Sequence, residues 1–256
     1  MPWVKIIQGN PPVMIMDNNL PNFYKPVINV VSGGIDYSLS IAEFSVLSDL
    51  QGKADTCRIS LEDHDRTRGE AISQGDSLSI SWGYEGNVLT EIFRGVVLDN
   101  NHSDPLEIRG IDYNTVLNAM KIKQTYQDDT VSGIMKSVLN SIGLELDIED
   151  CEVVIDRIPF FNRSIRECID SLTSISNRET GEEYFDYIRE GIFHWGKKDL
   201  SQSPSAIFTT GVNIIDLQLN ENGLSELFTM ISPVLHSQVI KINGESYFAE
   251  KVEYNW

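Results

Sequence analysis

Side chains that could do chemistry are few in this chain, and they are scattered. The four histidines, His64, His102, His194 and His236, are the first candidates for zinc ligands or general bases. None has a second ligand at the i+2 to i+4 spacing that a zinc site uses. Asp63-His64-Asp65 and Asp128-Asp129 gather carboxylates that could hold a metal or move protons. In an acidic chain such pairs are expected anyway at turns and helix starts, where a carboxylate accepts from free N–H groups. Gln218-Leu219-Asn220-Glu221-Asn222-Gly223 begins like a calcium loop, but Gln stands at the first ligand position and Thr229 at the twelfth. Gly83-Tyr84-Glu85-Gly86 has the GxxG spacing of an RNA-clamping loop; its glutamate and lack of a basic flank read as a tight turn instead. HExxH, GxSxG, GxGxxG and P-loop patterns are absent. Cys57, Cys151 and Cys168 form no CxxC pair, and their alternating or stripe-like surroundings read as buried reduced thiols. The residues therefore assign no catalytic group, no metal and no cofactor, and the expectation is a protein that is not an enzyme.

Aromatic residues offer a different chemistry. Tyr184, Phe185 and Tyr187 fall in one strand pattern, Phe193 and Trp195 in its partner, and Phe160-Phe161 precedes a helix. Rings on an exposed face could stack on a sugar or a partner; cross-strand packing into a core uses the same spacing.

The chain has 256 residues, with 38 Asp and Glu against 20 Lys and Arg, a formal net charge of −18. Such a surface is unsuited to collecting phosphates by counterion release or to an anionic membrane. It gives solubility through self-repulsion, and it suits a surface that must not retain a polyanion. No apolar run approaches the roughly 20 residues needed to span a bilayer. The opening Met1-Pro2-Trp3-Val4-Lys5 lacks the apolar region of a secretory signal, so the expectation is a soluble protein made in a cytoplasm.

Period-two patterning dominates the first half. Leu78, Ile80 and Trp82 alternate with Ser77, Ser79 and Ser81, and similar runs occur at 27–31, 37–47, 54–61, 89–98 and 106–111. Turn residues such as Ser32-Gly33-Gly34 separate them, which predicts an antiparallel barrel or sandwich. The period changes after Asp112. Val131, Ile134, Met135, Val138, Leu139 and Ile142 line one helical face, with Asp129 or Thr130 to cap its start and Gly143 its end. Burying that face contributes about 10 kcal/mol before entropy, as an upper bound. Ser164-Ile165-Arg166-Glu167 is a capping box opening a helix with the stripe Ile165, Cys168, Ile169, Leu172 and Ile175. A shorter helix fits between Tyr113 and Gln124, and a strand at 153–156. Arg189-Glu190-Gly191 joins strands 184–188 and 192–195 as a hairpin. Strand character returns over 207–219, and Asn243-Gly244 between two β-rich runs is a hairpin turn in which both residues tolerate positive φ. Residues 224–233 have no assignable pattern. The fold class expected is α+β and mainly β: antiparallel tail-tube-like β-barrels with an α/β insertion. The segments expected are an extended arm at 1–25, a first barrel at 26–112, the insertion at 113–200, and a β segment completing the barrels at 201–256.

Four stretches, taken in order, resemble the baseplate-hub family of contractile phage tails, including the late-control protein D family and the tube-like part of type VI secretion spike proteins. They are Lys53 to Glu62; Gly75-Asp76-Ser77-Leu78 with Gly83-Tyr84 and Ile92-Phe93-Arg94-Gly95-Val96-Val97; Leu106 to Tyr113; and Ser232-Pro233-Val234-Leu235 with the closing hairpin through Tyr254. The resemblance implies a structural virion protein of the tail baseplate, assembled in the bacterial host cytoplasm. It implies a homotrimer whose two barrels per subunit mimic a six-fold ring, adapting the hexameric tail tube to a three-fold spike. The implied partners are the tail tube protein, a separate central spike protein, and tape-measure and baseplate wedge proteins. DNA or an effector would pass during genome ejection or contractile injection without specific binding. The chain is shorter than typical members and shows no OB domain or needle repeat at its C-terminus. A carbohydrate- or receptor-binding β-domain and a cell-wall hydrolase remain the alternatives at this stage.

Overall fold

A computed structural model of the chain describes residues 3–8, 26–50, 54–64, 67–85, 88–101, 105–219, 225–229 and 234–255. The chain divides into two units, one formed by Met1–Asp112 with Leu200–Trp256, the other by Tyr113–Asp199.

The first unit begins with β1 (Trp3–Gln8), β2 (Pro26–Ser32) and the two-residue β3 (Ile35–Asp36), followed by β4 (Ile41–Asp49), β5 (Thr56–Leu61), the short helix α1 (Thr67–Ala71), β6 (Ser77–Tyr84), β7 (Thr90–Asn101) and β8 (Leu106–Asp112). Alternation puts Leu78, Ile80 and Trp82 inside with Val30, Phe44, Val46, Ile59, Phe93 and Ile108. The Trp82 ring lies 5.9 Å from Phe44 and edge-on to Tyr84 at 6.2 Å. Gly33 and Gly34, both at positive φ, turn β2 into β3.

The second unit carries α2 (Asn114–Ala119), β9 (Lys121–Thr130), α3 (Val131–Leu139), β10 (Glu145–Ile148), β11 (Val154–Ser164), α4 (Ile165–Thr180), β12 (Tyr184–Arg189) and β13 (Ile192–Lys197). The Thr130 hydroxyl accepts from the Gly133 N–H to start α3, which stops at Leu139 with Asn140 as its C-cap; Gly143 adopts its positive φ in the turn beyond. At α4 both bonds of the capping box form, and Gly181 closes the helix in the left-handed conformation. Ile165, Cys168, Ile169 and Leu172 are buried with Val131, Ile134, Met135, Val138 and Leu139 in the core of this unit. Its strands form a three-stranded sheet in the order β10-β13-β12 and a two-stranded antiparallel ribbon of β9 with β11. The ribbon lies in a stretch where the sequence pattern suggests only a short helix and a four-residue strand.

The chain then returns to the first unit through β14 (Ala206–Phe208), β15 (Ile214–Leu219), β16 (Ser225–Thr229), β17 (Val239–Ile242) and β18 (Glu245–Asn255). β16 falls inside the segment whose sequence had no assignable pattern; the remainder of that segment, Leu224 and residues 230–233, lies outside the described residues. The β17–β18 hairpin turns at Asn243 and Gly244, both at positive φ. β1 lies between β16 and β18, parallel to both. The ladder runs β15-β16-β1-β18-β4-β5-β8-β7-β6-β2-β3, with β17 on β18 and β14 on β17. The protein is thus mainly β with an α/β unit between its β segments, and among the described residues this sheet does not close on itself. None of the described helices is long and apolar enough to cross a membrane.

Candidate functional site

The carboxylates that invited a metal or acid–base role hold backbone instead. Asp63, buried at 2% exposure, accepts the N–H groups of Arg68 at 3.0 Å and Gly69 at 2.8 Å, satisfying free donors at the start of α1. Asp129 accepts from the Thr130 N–H at 2.8 Å beside the N-terminus of α3. Among the described residues no group of three His, Cys, Asp or Glu side chains is placed to hold a metal ion. His236 is buried with Nε2 3.5 Å from Asp55, and its backbone N–H lies 3.5 Å from Ser48 Oγ, fastening the turn before β17 to β4. His194 Nδ1 lies 2.9 Å from Asp147 on the three-stranded sheet. His102, Asp65, Gly86 and residues 220–223 lie outside the described residues. All three cysteines are free and buried. Burial pushes the Cys57 thiol far above its ordinary range, and the Cys168 thiol up to about 11, so neither supplies a thiolate at neutral pH.

The aromatic residues separate by strand parity. Tyr184, Phe193 and Trp195 point inward, with Tyr184 stacked on Trp195 at 4.7 Å and the Trp195 indole donating to Thr173 at 2.9 Å. Phe185, Tyr187 and His194 occupy the opposite face. Tyr187 is stacked by Phe185 at 5.7 Å and His194 at 4.6 Å, with the Arg189 guanidinium 4.7 Å above its ring. The ring faces that a sugar would need are engaged within the protein. Phe160 is buried, whereas Phe161 is 63% exposed.

Surfaces suited to holding another chain lie elsewhere, at the two ends of the main ladder of the large sheet, β14 being a third strand with one neighbour among the described residues. One end is β15, the last strand of the ladder, with Ile215 exposed on it, Val212 exposed in the turn before it and Ile207 exposed on β14. Asn213 shapes that segment: its side chain accepts from the Thr209 N–H at 2.7 Å and donates to the Ile207 carbonyl at 2.9 Å. Thr210 adds a second clamp, its N–H donating to Asn243 Oδ1 at 2.9 Å. The other end is the β2–β3 hairpin, with Ile35 exposed on β3 and Leu39 fully exposed on the following 3-10 turn. The Ser38 hydroxyl accepts from the Val30 N–H at 3.1 Å and Asp36 accepts from the Ser38 N–H at 2.9 Å, so that turn is held against β2. Asp36 is held below the usual carboxylate range by its hydrogen bonds from Ser38. Strand backbone with no further strand beside it among the described residues, next to exposed large apolar side chains, is the arrangement that accepts a further strand. Sequence reasoning could not find these ends, because which strand is outermost is set by long-range pairing.

The family model described as YQBQ-like matches residues 44–232 of this chain. No curated protein matches it. Solved structures of similar fold include the 43 kDa tail protein of prophage MuSo2 from Shewanella oneidensis, with a TM-score of 0.60 and 14% identity over 76% of this chain and 60% of that one. The tail protein from Neisseria meningitidis MC58 gives a TM-score of 0.59 and 14% identity over 86% and 71% of the two chains. The E. coli c3393 protein gives a TM-score of 0.64 and 11% identity over 89% and 72%. That protein is described as a component of the type VI secretion system with structural similarity to the T4 tail proteins gp27 and gp5. This chain spans 60% of the length of the Shewanella protein, and at these identities the likeness is one of fold.

Proposed function

The chain belongs to the YQBQ-like family, and we propose that it is a structural, non-catalytic subunit of a phage-type tail or related injection machine. In this reading it serves at the baseplate as a hub: copies join into a trimeric ring that adapts a six-fold tail tube to a three-fold spike. The observation that carries the reading is the open sheet of the first unit, whose two end strands each stand beside exposed large apolar side chains. Two different end strands of one ladder can join copies head to tail, and a head-to-tail contact closes into a ring when its rotation allows. The tail proteins of Shewanella and Neisseria, which share this fold, support a place in the tail. The partners proposed are the tube protein, a separate spike, and tape-measure and wedge proteins. The excess of carboxylates suits a channel through which DNA passes without being held.

Mass measurement of the full chain in solution, with negative-stain imaging, tests the reading. Trimers with three-fold rings are expected, and Ile215→Lys, which places a charge on the outer end strand, should return them to monomers with an unchanged far-UV spectrum. A chain that stays monomeric at every concentration tested overturns it.

A further inference from the structure

The β9–β11 ribbon carries a face that the rest of this acidic molecule does not prepare one to find. Its register pairs Arg157 with Gln127, Pro159 with Thr125 and Phe161 with Lys123. Directly paired residues project on the same side, so these six share one face, and all six are exposed. The opposite face, with Tyr126, Ile158 and Phe160, packs into the core of the unit. Phe161 is 63% exposed, and Val154 at the far end of β11 is 61% exposed. Lys123 and Arg157 form no ion pair among the described residues, although the chain carries a net charge of −18. Two unneutralised cations flanking an exposed aromatic ring on a two-stranded ribbon form a surface whose charge and apolar content are both unsatisfied within the subunit.

The same unit holds its complement. β10 is an outer strand of the three-stranded sheet, and the alternation along it turns Glu145 and Asp147 outward, with exposed Glu149 and Asp150 directly after. Asp147 is bonded to His194, Glu149 accepts the Lys197 N–H at 2.8 Å, and Asp150 meets Lys136 at 2.9 Å. Glu145 has no ion-pair partner among the described residues, and the row as a whole is anionic.

We propose that the outer face of the β9–β11 ribbon docks against the acidic outer strand β10 of a second copy of this chain, giving a head-to-tail contact between neighbouring subunits. This rests on the reading above that copies associate, and it adds a second, charge-guided contact to the apolar sheet ends. Copies of a strongly acidic protein repel one another at long range, so a local cationic face that meets an acidic one lowers that barrier and fixes the register of approach. Exposed ion pairs by themselves hold little, and the burial of Phe161 adds the apolar part of the contact. A nucleic acid is the less favoured occupant: two free cations make few phosphate contacts, and the chain as a whole carries a net charge of −18.

A charge swap in the full chain tests the proposal. Lys123→Glu/Arg157→Glu and Glu145→Lys/Asp147→Lys change only exposed residues, and unchanged far-UV spectra and thermal midpoints verify that both fold. Each variant alone should self-associate about tenfold more weakly than wild type in sedimentation runs. Their equimolar mixture should recover assembly in part, because two of the three contacts in a mixed three-membered ring then join opposite charges. Wild-type assembly by either variant alone, or no recovery on mixing, overturns the proposal; if Ile215→Lys still dissociates the ring, the reading of the sheet ends stands without it. A wild-type chain that never associates overturns both. Binding of a fluorescent single-stranded oligonucleotide that is lost in Lys123→Glu/Arg157→Glu would assign the face to nucleic acid and overturn the second-copy contact.

Discussion

Gly95 on β7 and Ile111 on β8 approach so closely that a β-carbon on the glycine would stand 2.1 Å from the Ile111 carbonyl oxygen and 2.7 Å from its carbon. Both obstacles are backbone, which cannot swing aside as a flexible side chain does. Gly110, on the neighbouring strand, is similarly confined, with Cys57 Sγ and Leu78 Cδ2 each 2.6 Å from where its β-carbon would lie. Gly95 lets β7 pair closely with β8, and Gly110 leaves room for the side chains of Cys57, Leu78 and Phe93.

Gly95→Ala should therefore destabilise the first unit by about 3 kcal/mol, since the sheet must shift to admit one methyl group. Gly34→Ala provides the comparison: nothing lies within 4 Å of that position, and its cost comes from φ of +86° alone, about 1 kcal/mol. Urea titrations of the two variants measure the difference. Equal losses would show that the close approach to Ile111 carries no special penalty.

The start of α4 should show a pH-dependent contribution. The Glu167 carboxylate accepts the Ser164 N–H at 2.7 Å and its hydroxyl at 3.1 Å, and these bonds hold it below the usual carboxylate range. A group whose folded pKa is lowered adds stability that is fully present above its ordinary range and is lost as pH falls through the folded value. Ser164→Ala should cost about 1 kcal/mol at neutral pH. The gap between variant and wild type should narrow as pH falls below the ordinary glutamate range, where the carboxylate gains its proton. A gap independent of pH would mean that the Glu167 side of the cap is not formed.

Arg166 links α4 to β12. It donates to both oxygens of Asp186 at 2.7 and 2.5 Å and to Asp170 at 2.9 Å. Burial works against its charge, but the two carboxylates outweigh that and raise its pKa above the ordinary arginine value. Asp186 is 9% exposed, so Arg166→Met leaves a nearly buried carboxylate unpaired and should cost about 3 kcal/mol. Adding Asp186→Leu should recover most of the loss, because the uncompensated charge is then gone. A double variant less stable than Arg166→Met would show that the pair itself, and not the orphaned carboxylate, sets the penalty.

Much of this protein is written in local order along the chain. Strand alternation around Trp82, the Ser164–Glu167 cap, and the turns at Gly33-Gly34, Glu190-Gly191 and Asn243-Gly244 each depend on residues within a few positions of one another, and each forms as the sequence predicts. The mainly-β, α+β character follows from those same periods. The β9–β11 ribbon was not legible: Lys121 to Thr130 is almost wholly polar, and a register shift at Asn162, with positive φ at Asp128 and Asn162, breaks the alternation that would mark a strand. Nor could spacing tell that Phe160 is buried and Phe161 exposed.

What only tertiary structure decided is pairing at a distance. β1 finds its neighbours in residues 225–229 and 248–254, more than 200 positions away, and β15 and β3 become the ends of the sheet only once every other strand has found its partner. Alternation states that a strand has a buried face; it carries no information about which strand lies alongside, so barrel closure cannot be read from it, and neither can the surfaces left open for a neighbour. Backbone hydrogen bonding between strands is nearly independent of side-chain identity, and selection among pairings falls to the collective packing of Trp82, Phe44, Ile59 and their companions in three dimensions.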